Sequence, residues 1–305
     1  MKNNYYNEED IIRGINSLPQ KQKLVKTNFG FYRVDPLPNQ QELNEYYQKV
    51  YFNVSAEQIQ SKGMDSGIGS PKERYHFARQ YREVLSFVQK HFKRQDINVL
   101  DVGCGCGNYL RSFKNEGYCN LYGTEIDPKL ASVEGIKIIN AEFLEADFDK
   151  KFDFIMFNNV LEHVREPEKF IEKAVKTLAS NGVIRVQVPN DLCYSQYSAI
   201  KAAGKKHYYF FNPFEHLNYF NFSSMRSFLD LMDLEILEQT TSFPMDMFLL
   251  FGMGDYTDKA FGKQCHLNRS EFEFNTGDEF LADFYLKLSE IGFGRTVVQY
   301  ARKKI

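Results

Sequence analysis

The stretch Asn98-Val-Leu-Asp-Val-Gly-Cys-Gly-Cys-Gly-Asn108 decides the fold. An apolar strand ends on Asp101, a turn carries glycine at 103, 105 and 107, and Tyr109-Leu-Arg-Ser-Phe-Lys114 continues as a helix. A strand, a tight turn and a helix leave a crevice at the strand's carboxyl end. Glycine there admits positive φ and leaves room for a ligand against the backbone. The spacing excludes two ligand classes. The dinucleotide pattern G-x-G-x-x-G needs glycine at position 108 or 110, where the chain has Asn108 and Leu110. No Gly-Lys-Ser/Thr occurs, which excludes a phosphate loop.

Working outward, strands are expected at 98–102, 121–126, 136–139, 153–157 and 182–188, with helices at 108–117 and 167–179. Pro167 opens the second helix, Phe170, Ile171, Ala174, Val175 and Leu178 form its apolar face, and Asn181-Gly182 stops it. Upstream, Ser70-Pro-Lys-Glu73 is a capping box with proline at the first helical position. The helix it starts carries Phe77, Tyr81, Val84, Leu85, Val88 and Phe92 at helical spacing. Downstream come a helix at 224–232, a strand at 234–237, an irregular stretch at 241–275, a helix at 276–291 with Phe280, Leu281, Phe284, Leu288 and Ile291 on one face, and a last strand at 296–301. Residues 1–69 lack strong periodicity, apart from a short helix over 42–52. Strand–helix alternation implies an α/β fold with a doubly wound, mostly parallel sheet. Four segments follow: 1–69 as a lid or substrate segment, 70–240 as the core with the crevice, 241–293 as a helical and aromatic insertion on the substrate side, and 294–305 as a final core strand.

Composition narrows the function classes. A net charge of -2 argues against a nucleic-acid surface, which is usually basic. No apolar run reaches the ~20 residues of a membrane span. The first ten residues are polar and acidic, unlike a signal peptide. Five cysteines, an odd number with no C-x-x-C, indicate neither a disulfide framework nor a zinc knuckle. A reduced, cytoplasmic setting without a bound metal is expected, and a homo-oligomer is compatible with all of this.

In Asn120-Leu-Tyr-Gly-Thr-Glu-Ile-Asp-Pro128, the second strand delivers Glu125 to the crevice, 18 residues past Gly107. A carboxylate at that point can accept both hydroxyls of a ribose. The fourth strand runs into Asn158 and Asn159 and then Leu161-Glu-His-Val164, with Pro167 behind it.

The run D-x-G-x-G-x-G at 101–107 resembles motif I of the class I S-adenosylmethionine-dependent methyltransferases. The Leu-Glu-His-Val segment with its proline is similar to a second segment of the same family, quinone-biosynthesis O-methyltransferases included. The resemblance covers roughly residues 70–240. It implies a Rossmann-like, seven-stranded sheet with the last strand reversed, S-adenosyl-L-methionine as cofactor and S-adenosyl-L-homocysteine as product. It places Gly103, Gly105 and Gly107 against the cofactor, Asp101 near the methionine ammonium, and Ile126, Ala141, Glu142 and Phe143 around the adenine, with Phe143 equally readable as a core residue. Asn158 and Asn159 face the methionine end. His163 serves there either as a base or as a structural histidine against the pocket. Tyr75 and Arg79, on the segment before motif I, are expected to fold over the cofactor.

Glu215-His216-Leu-x-Tyr-Phe220 resembles a segment of methyltransferases acting on nucleotide-linked sugars. It implies His216 as general base beside Glu215, the alternative being a helix-entry histidine bonded to backbone. In the later insertion, His266 reads as a second possible base. Those sugar C-methyltransferases carry a cysteine-rich zinc module that does not occur in this sequence, which points to oxygen or nitrogen as the acceptor atom. Lys206, in a basic run, and Arg269 can pair with an anionic acceptor. Tyr208, Tyr209 and Phe214 can stack on a sugar ring. The expected acceptor is a carbohydrate, a sugar nucleotide or a phosphate-bearing precursor of surface polysaccharide. The alternatives are O-methylation in quinone or natural-product synthesis, and a non-catalytic methyltransferase-like binding subunit.

Overall fold

The computed structural model describes residues 6–50, 70–127, 129–130, 133–203, 208–254 and 258–304. Its centre is a seven-stranded sheet in the order β5-β4-β3-β6-β7-β10-β9. The strands are β3 (Val99–Val102), β4 (Leu121–Thr124), β5 (Lys137–Ile139), β6 (Phe152–Asn158), β7 (Leu178–Pro189), β9 (Leu234–Thr240) and β10 (Thr296–Lys303). Only β10 runs antiparallel to its neighbours β7 and β9, so the reversed last strand is present. β3 and β6 are buried on both faces, as a parallel sheet covered by helices requires.

The chain builds β3, β4 and β5 outward on one side, then crosses back to lay β6 on the other side of β3. The carboxyl ends of β3 and β6 therefore flank a topological switch point, where open α/β sheets bind ligands. The long helix α3 (Pro71–Phe92) has the expected capping box: Ser70 accepts from the Glu73 amide, and the Glu73 side chain accepts from the Ser70 amide. It buries Val84, Leu85 and Val88 against Val99, Phe154 and Tyr300 of the sheet. α4 (Asn108–Asn115) follows the glycine turn, and α5 (Pro167–Thr177) buries Phe170, Ile171 and Ala174 against the opposite face.

Three parts of the structure differ from the sequence expectation. First, α5 ends at Thr177, and Asn181-Gly182 lies inside β7 instead of stopping a helix. Second, the amino-terminal segment is structured. α1 (Glu8–Asn16) buries Ile11, Ile12 and Ile15, and α2 (Gln40–Val50) follows a hairpin of β1 (Lys23–Lys26) and β2 (Tyr32–Asp35). That hairpin continues into β8 (Asn218–Tyr219) as a three-stranded sheet. Residues 51–69, the rest of the expected lid segment, lie outside the described residues.

Third, the stretch expected to be irregular contains α8 (Met247–Leu250) and the 18-residue helix α9 (Lys259–Thr276). α9 has little apolar periodicity because it packs through polar groups. Glu273 is fully buried and holds His76 of α3 and the hydroxyl of Tyr285, the latter at 2.8 Å. Tyr285 belongs to α10 (Asp278–Glu290), which buries Leu281, Tyr285 and Ser289, whereas Phe280 and Ile291 are exposed. The remaining helices are α6 (Tyr194–Ala203) and α7 (Phe222–Leu231). Among the described residues, no helix is long and apolar enough to cross a membrane.

Candidate active site

The glycine turn is shaped by backbone that other residues resist. Gly103, Gly105 and Gly107 sit at φ +66°, +52° and +71°, where a side chain costs roughly 1 kcal/mol or more. At Gly107 a Cβ would also meet Val133 at 2.8 Å, but at Gly105 nothing lies within 4 Å. Gly105 therefore borders open space, as a turn that cradles a ligand must.

Glu125 follows β4 directly and is 9% exposed. Its Oε2 accepts the Gly105 amide at 2.8 Å and its Oε1 accepts the Asp127 amide at 2.9 Å. One carboxylate thus ties the glycine turn to the next loop and keeps further lone pairs for a ligand's hydroxyls. Asn140 donates to the carbonyl oxygen of Glu125 at 2.8 Å and fixes its backbone. Ile126, next in the chain, is 66% exposed and leaves an apolar surface there.

Asp101 is buried at the carboxyl end of β3, and Asn158 Nδ2 donates to its Oδ1 at 2.9 Å. Burial pushes the Asp101 carboxyl up to about 7, against the opposing pull of Asn158 and Arg185. Arg185, on β7, is fully buried beneath the site. Its Nη1 donates to Asn158 Oδ1, its Nη2 to Gln187 at 2.7 Å and its Nε to the Tyr300 hydroxyl at 3.2 Å. The guanidinium occupies the amide oxygen of Asn158, so the NH₂ group is the end that faces Asp101.

Next to this crevice lies a cavity of about 490 Å³ whose lining includes Asn159, Glu162, His163, Asp191, Tyr209, Asn212, Glu215, His216 and Arg295. His163 Nδ1 lies 2.6 Å from the Glu215 carbonyl oxygen. A carbonyl only accepts, so Nδ1 carries the proton and Nε2 the lone pair. Burial and the neighbouring His216 push His163 down to about 4. Burial also lowers His216, whose ring lies 5.0 Å from that of His163 and whose Nδ1 is buried without a hydrogen bond. Glu162 and Asp191 are each 1% exposed, and one oxygen of each is buried without a hydrogen bond. Burial raises Asp191 to about 6 and Glu162 well above the usual carboxylate range. Ligand atoms of Glu162, His163 and His216 lie within 4.8 Å of one another, a set with donors suited to a divalent cation.

The amino-terminal segment forms the outer wall. Tyr46 of α2 donates to Glu215 at 3.4 Å, and Asn212 reaches both Tyr46 and Glu215 at 3.0 Å. Tyr6 donates to the Leu192 carbonyl oxygen at 2.8 Å, just after β7.

The structure brings together Asp101, Gly103, Gly105, Gly107, Glu125 and Asn158 in the crevice, and Asn159, His163, Tyr209, Glu215 and His216 in the cavity. Ala141 is half-buried and Glu142 exposed on the loop after β5.

Several expected residues lie elsewhere. Phe143 is 2% exposed and packs among Phe148, Phe157 and Phe170 in the core, so it is no adenine wall. Arg79 is buried against Glu83 at 3.0 Å and over the Tyr285 ring, and Tyr75 donates to Asp278 at 2.6 Å. Both residues serve the contact of α3 with α9 and α10, not the cofactor. Arg269 belongs to the same polar contact, where Glu273, Tyr285 and Arg79 surround it. His266 is exposed on α9 and outside the cavity lining. Phe214 stacks on Tyr46 at 6.0 Å, and Tyr208 packs against Gly14 of α1, so neither lines the cavity. Lys206 lies outside the described residues.

Sequence reasoning missed Asp191, Arg185 and Arg295. Asp191 was findable, since it follows Pro189-Asn190 at the carboxyl edge of β7. Arg295 was not, because it reaches that edge only as the residue leading into the reversed β10, whose Thr296 pairs with Pro189.

A family profile described as a methyltransferase domain matches residues 72–239, more than half of the chain. The mitochondrial ubiquinone biosynthesis O-methyltransferase of Dictyostelium discoideum is 28% identical over 143 residues, 40% of this chain and 44% of its own length. Ajmaline N-methyltransferase of Rauvolfia serpentina is 28% identical over 183 residues, 52% of this chain and 62% of its own. The chain thus spans about half the length of the curated relatives it matches. The crystal structure of magnesium protoporphyrin IX methyltransferase from Synechocystis, solved with bound SAH, covers 87% of this chain and 100% of its own at a TM-score of 0.53. At 12% identity that likeness establishes the fold.

Proposed function

The chain belongs to the methyltransferase-domain family of class I, S-adenosylmethionine-dependent enzymes, and from that premise we propose that it methylates oxygen or nitrogen of a small polar acceptor held in the cavity beside the crevice. The observation that carries this reading is the junction of two sites at the switch point. Asp101, Glu125 and the glycine turn form one side, and Asn159 and His163 open the other onto about 490 Å³ of polar-lined space.

The residues present fit the cofactor. Gly105 borders open space, Glu125 keeps lone pairs for ribose hydroxyls, and Ile126 offers an apolar face for the adenine. Asp101, oriented by Asn158, would hold the methionine ammonium. When bound, the cofactor supplies a methyl group on a sulfonium, a good leaving group that needs no metal. The protein's own contribution is positioning of the two partners, which can supply much of the acceleration, and proton handling. His216 is held unprotonated by burial and lines the cavity. It would take the acceptor's proton, a role worth roughly 10²–10⁴-fold. His163 is oriented by the Glu215 carbonyl and packs edge-on to His216, so its place is to set that ring.

The lining of carboxylates, amides and imidazoles favours an acceptor rich in hydroxyl or amino groups, such as a carbohydrate, over a flat apolar quinone. Phosphate-bearing acceptors receive less support, since Arg269 lies in a helix contact and Arg295 shares the lining with three acids.

The test is calorimetric titration with S-adenosylhomocysteine, followed by a screen of sugars, amino sugars and catechols for release of that product. Tight binding of the homocysteine product and turnover with a polyol or amine is the expected result. Binding without turnover on any cell extract would instead identify a non-catalytic binding subunit. Loss of turnover with unchanged cofactor affinity in His216→Ala would place His216 in the chemistry.

A further inference from the structure

The acceptor cavity has an unusual charge inventory. Glu162, Asp191 and Glu215 line it, and Arg295 is the lining residue with a fixed positive charge. Asp246 stands behind it, already satisfied by Ser195 at 2.7 Å and Tyr209 at 2.6 Å. Among the described residues no acid forms an ion pair with Arg295, although Asp246 and Asp191 act on it at longer range. Among the described residues the lining therefore holds more acidic than basic side chains. Glu215 is occupied by Asn212. Glu162 Oε2 and Asp191 Oδ2 are different: each is buried, on a residue 1% exposed, and accepts no hydrogen bond from any of the described residues. Buried polar atoms are nearly always paired, so two unpaired carboxylate oxygens on one cavity call for a donor-rich occupant.

Resting on the methyltransferase reading, we infer that the acceptor atom brought to this cavity is an amine nitrogen, seated against the free oxygens of Glu162 and Asp191. An ammonium group offers three donors in a compact head and neutralises the charge it meets. Its arrival also draws the two carboxyls back toward ionisation, because an opposite charge nearby favours the charged form.

The reaction then balances as follows. The arriving ammonium gives one proton to the unprotonated His216, leaving a neutral amine. The nitrogen lone pair forms the new C–N bond, and the C–S bond breaks with its electron pair going to sulfur. Positive charge moves from sulfur to nitrogen, and the product is a methylammonium. His216 returns its proton to water. Fixed negative groups aimed at the nitrogen favour a transition state in which that atom becomes positive. A hydroxyl acceptor reverses the sign of the argument. Its oxygen must shed a proton and gains negative charge on the way, which the same carboxylates oppose.

The experiment pairs amines with matched alcohols on the cofactor-loaded protein. Glucosamine against glucose and ethanolamine against ethylene glycol are titrated at pH 7.5 into chelator-treated protein saturated with S-adenosylhomocysteine. The expected result is at least tenfold tighter binding of each amine. Asp191→Asn and the isosteric Glu162→Gln should each cut that preference about tenfold while leaving S-adenosylhomocysteine affinity within twofold, which also reports that the variants fold. Equal or tighter binding of the alcohols overturns the inference, as does a preference unchanged in both variants. So does a preference that appears only with added zinc, since the cation would then be the occupant of the Glu162 and histidine cluster. If the protein fails to bind S-adenosylhomocysteine at all, the methyltransferase reading itself falls, a result distinct from normal cofactor binding without amine preference.

Discussion

Asp101 should make cofactor binding depend on pH in a way that can be worked out in advance. In the cofactor-free protein its buried carboxyl sits at about 7. A cationic ammonium beside a carboxyl lowers its pKa by about 1–3 units. A two-unit drop is worth about 2.7 kcal/mol, or roughly a hundredfold in affinity between the acid and neutral limits. Affinity should therefore rise with pH, most steeply between about pH 5 and 7, and flatten above. Above about pH 8 the ligand's own α-amino group starts to lose its proton, so the lower window is the one to read. Calorimetry with S-adenosylhomocysteine in buffers of different ionisation enthalpy measures the same linkage directly. At pH 6 binding should release about 0.8 proton, and at pH 8 about 0.1. Asp101→Asn should bind weakly and show neither slope nor release. A flat profile in the wild type, or an unchanged slope in Asp101→Asn, would refute the reasoning. The sign for stability is the opposite. A carboxyl raised on folding stabilises the folded state below its unfolded value of 3.8 and loses that contribution as pH climbs toward 7. The cofactor-free protein should melt at lower temperature at pH 7 than at pH 5.5 on account of this group, and the cofactor should erase the difference.

Glu125→Ala removes the acceptor of the Gly105 and Asp127 amides together with the expected ribose contact, so cofactor affinity should fall by about 1–3 kcal/mol in the same calorimetric assay. Gly105→Ala meets no atom within 4 Å and should cost only about 1–2 kcal/mol in urea unfolding through its positive φ. Its methyl enters the space meant for the cofactor, so affinity should drop more than stability; equal losses would mean that the ligand lies elsewhere. Glu273→Ala strips the partner from buried His76 and Tyr285 and should destabilise the fold by about 3–5 kcal/mol, with turnover at low temperature largely kept, because the contact of α3 with α9 is structural.

How far the sequence reveals the molecule depends on which physical signal each element carries. β3, β4, β6 and α5 were legible because strands covered on both faces are continuously apolar and helices on a sheet show a clean stripe. The crevice was legible because positive φ and close approach demand glycine, and the carboxyl ends of neighbouring strands deliver Asp101 and Glu125 to one place. α9 was not legible, since its buried face is Glu273, Ser270 and Cys265, and polar burial leaves no hydrophobic period. Tyr75, Arg79 and Arg269 looked like ligand contacts for the same reason: charged residues that satisfy one another in a helix interface look, in one dimension, like residues waiting for a ligand. α1 had its signals, an Asn7 cap and isoleucines at 11, 12 and 15, but in a short window these are weak. The acceptor cavity was half legible. Glu215 and His216 share a motif, whereas Asp191 and Arg295 are 104 residues apart and meet only through the reversed strand.

That reversed strand also bears on how the molecule is made. β10 fills the gap between β7 and β9, and its first residue Thr296, with Arg295 just before it, lines the acceptor cavity. On the ribosome, β7 and β9 are therefore synthesised with open edges, and such edges invite pairing with other chains. The gap closes only when residues 296–303 have cleared the exit tunnel. Tyr300 of the same strand holds Arg185 beneath the cofactor crevice, so one late strand finishes both the donor side and the acceptor side of the site.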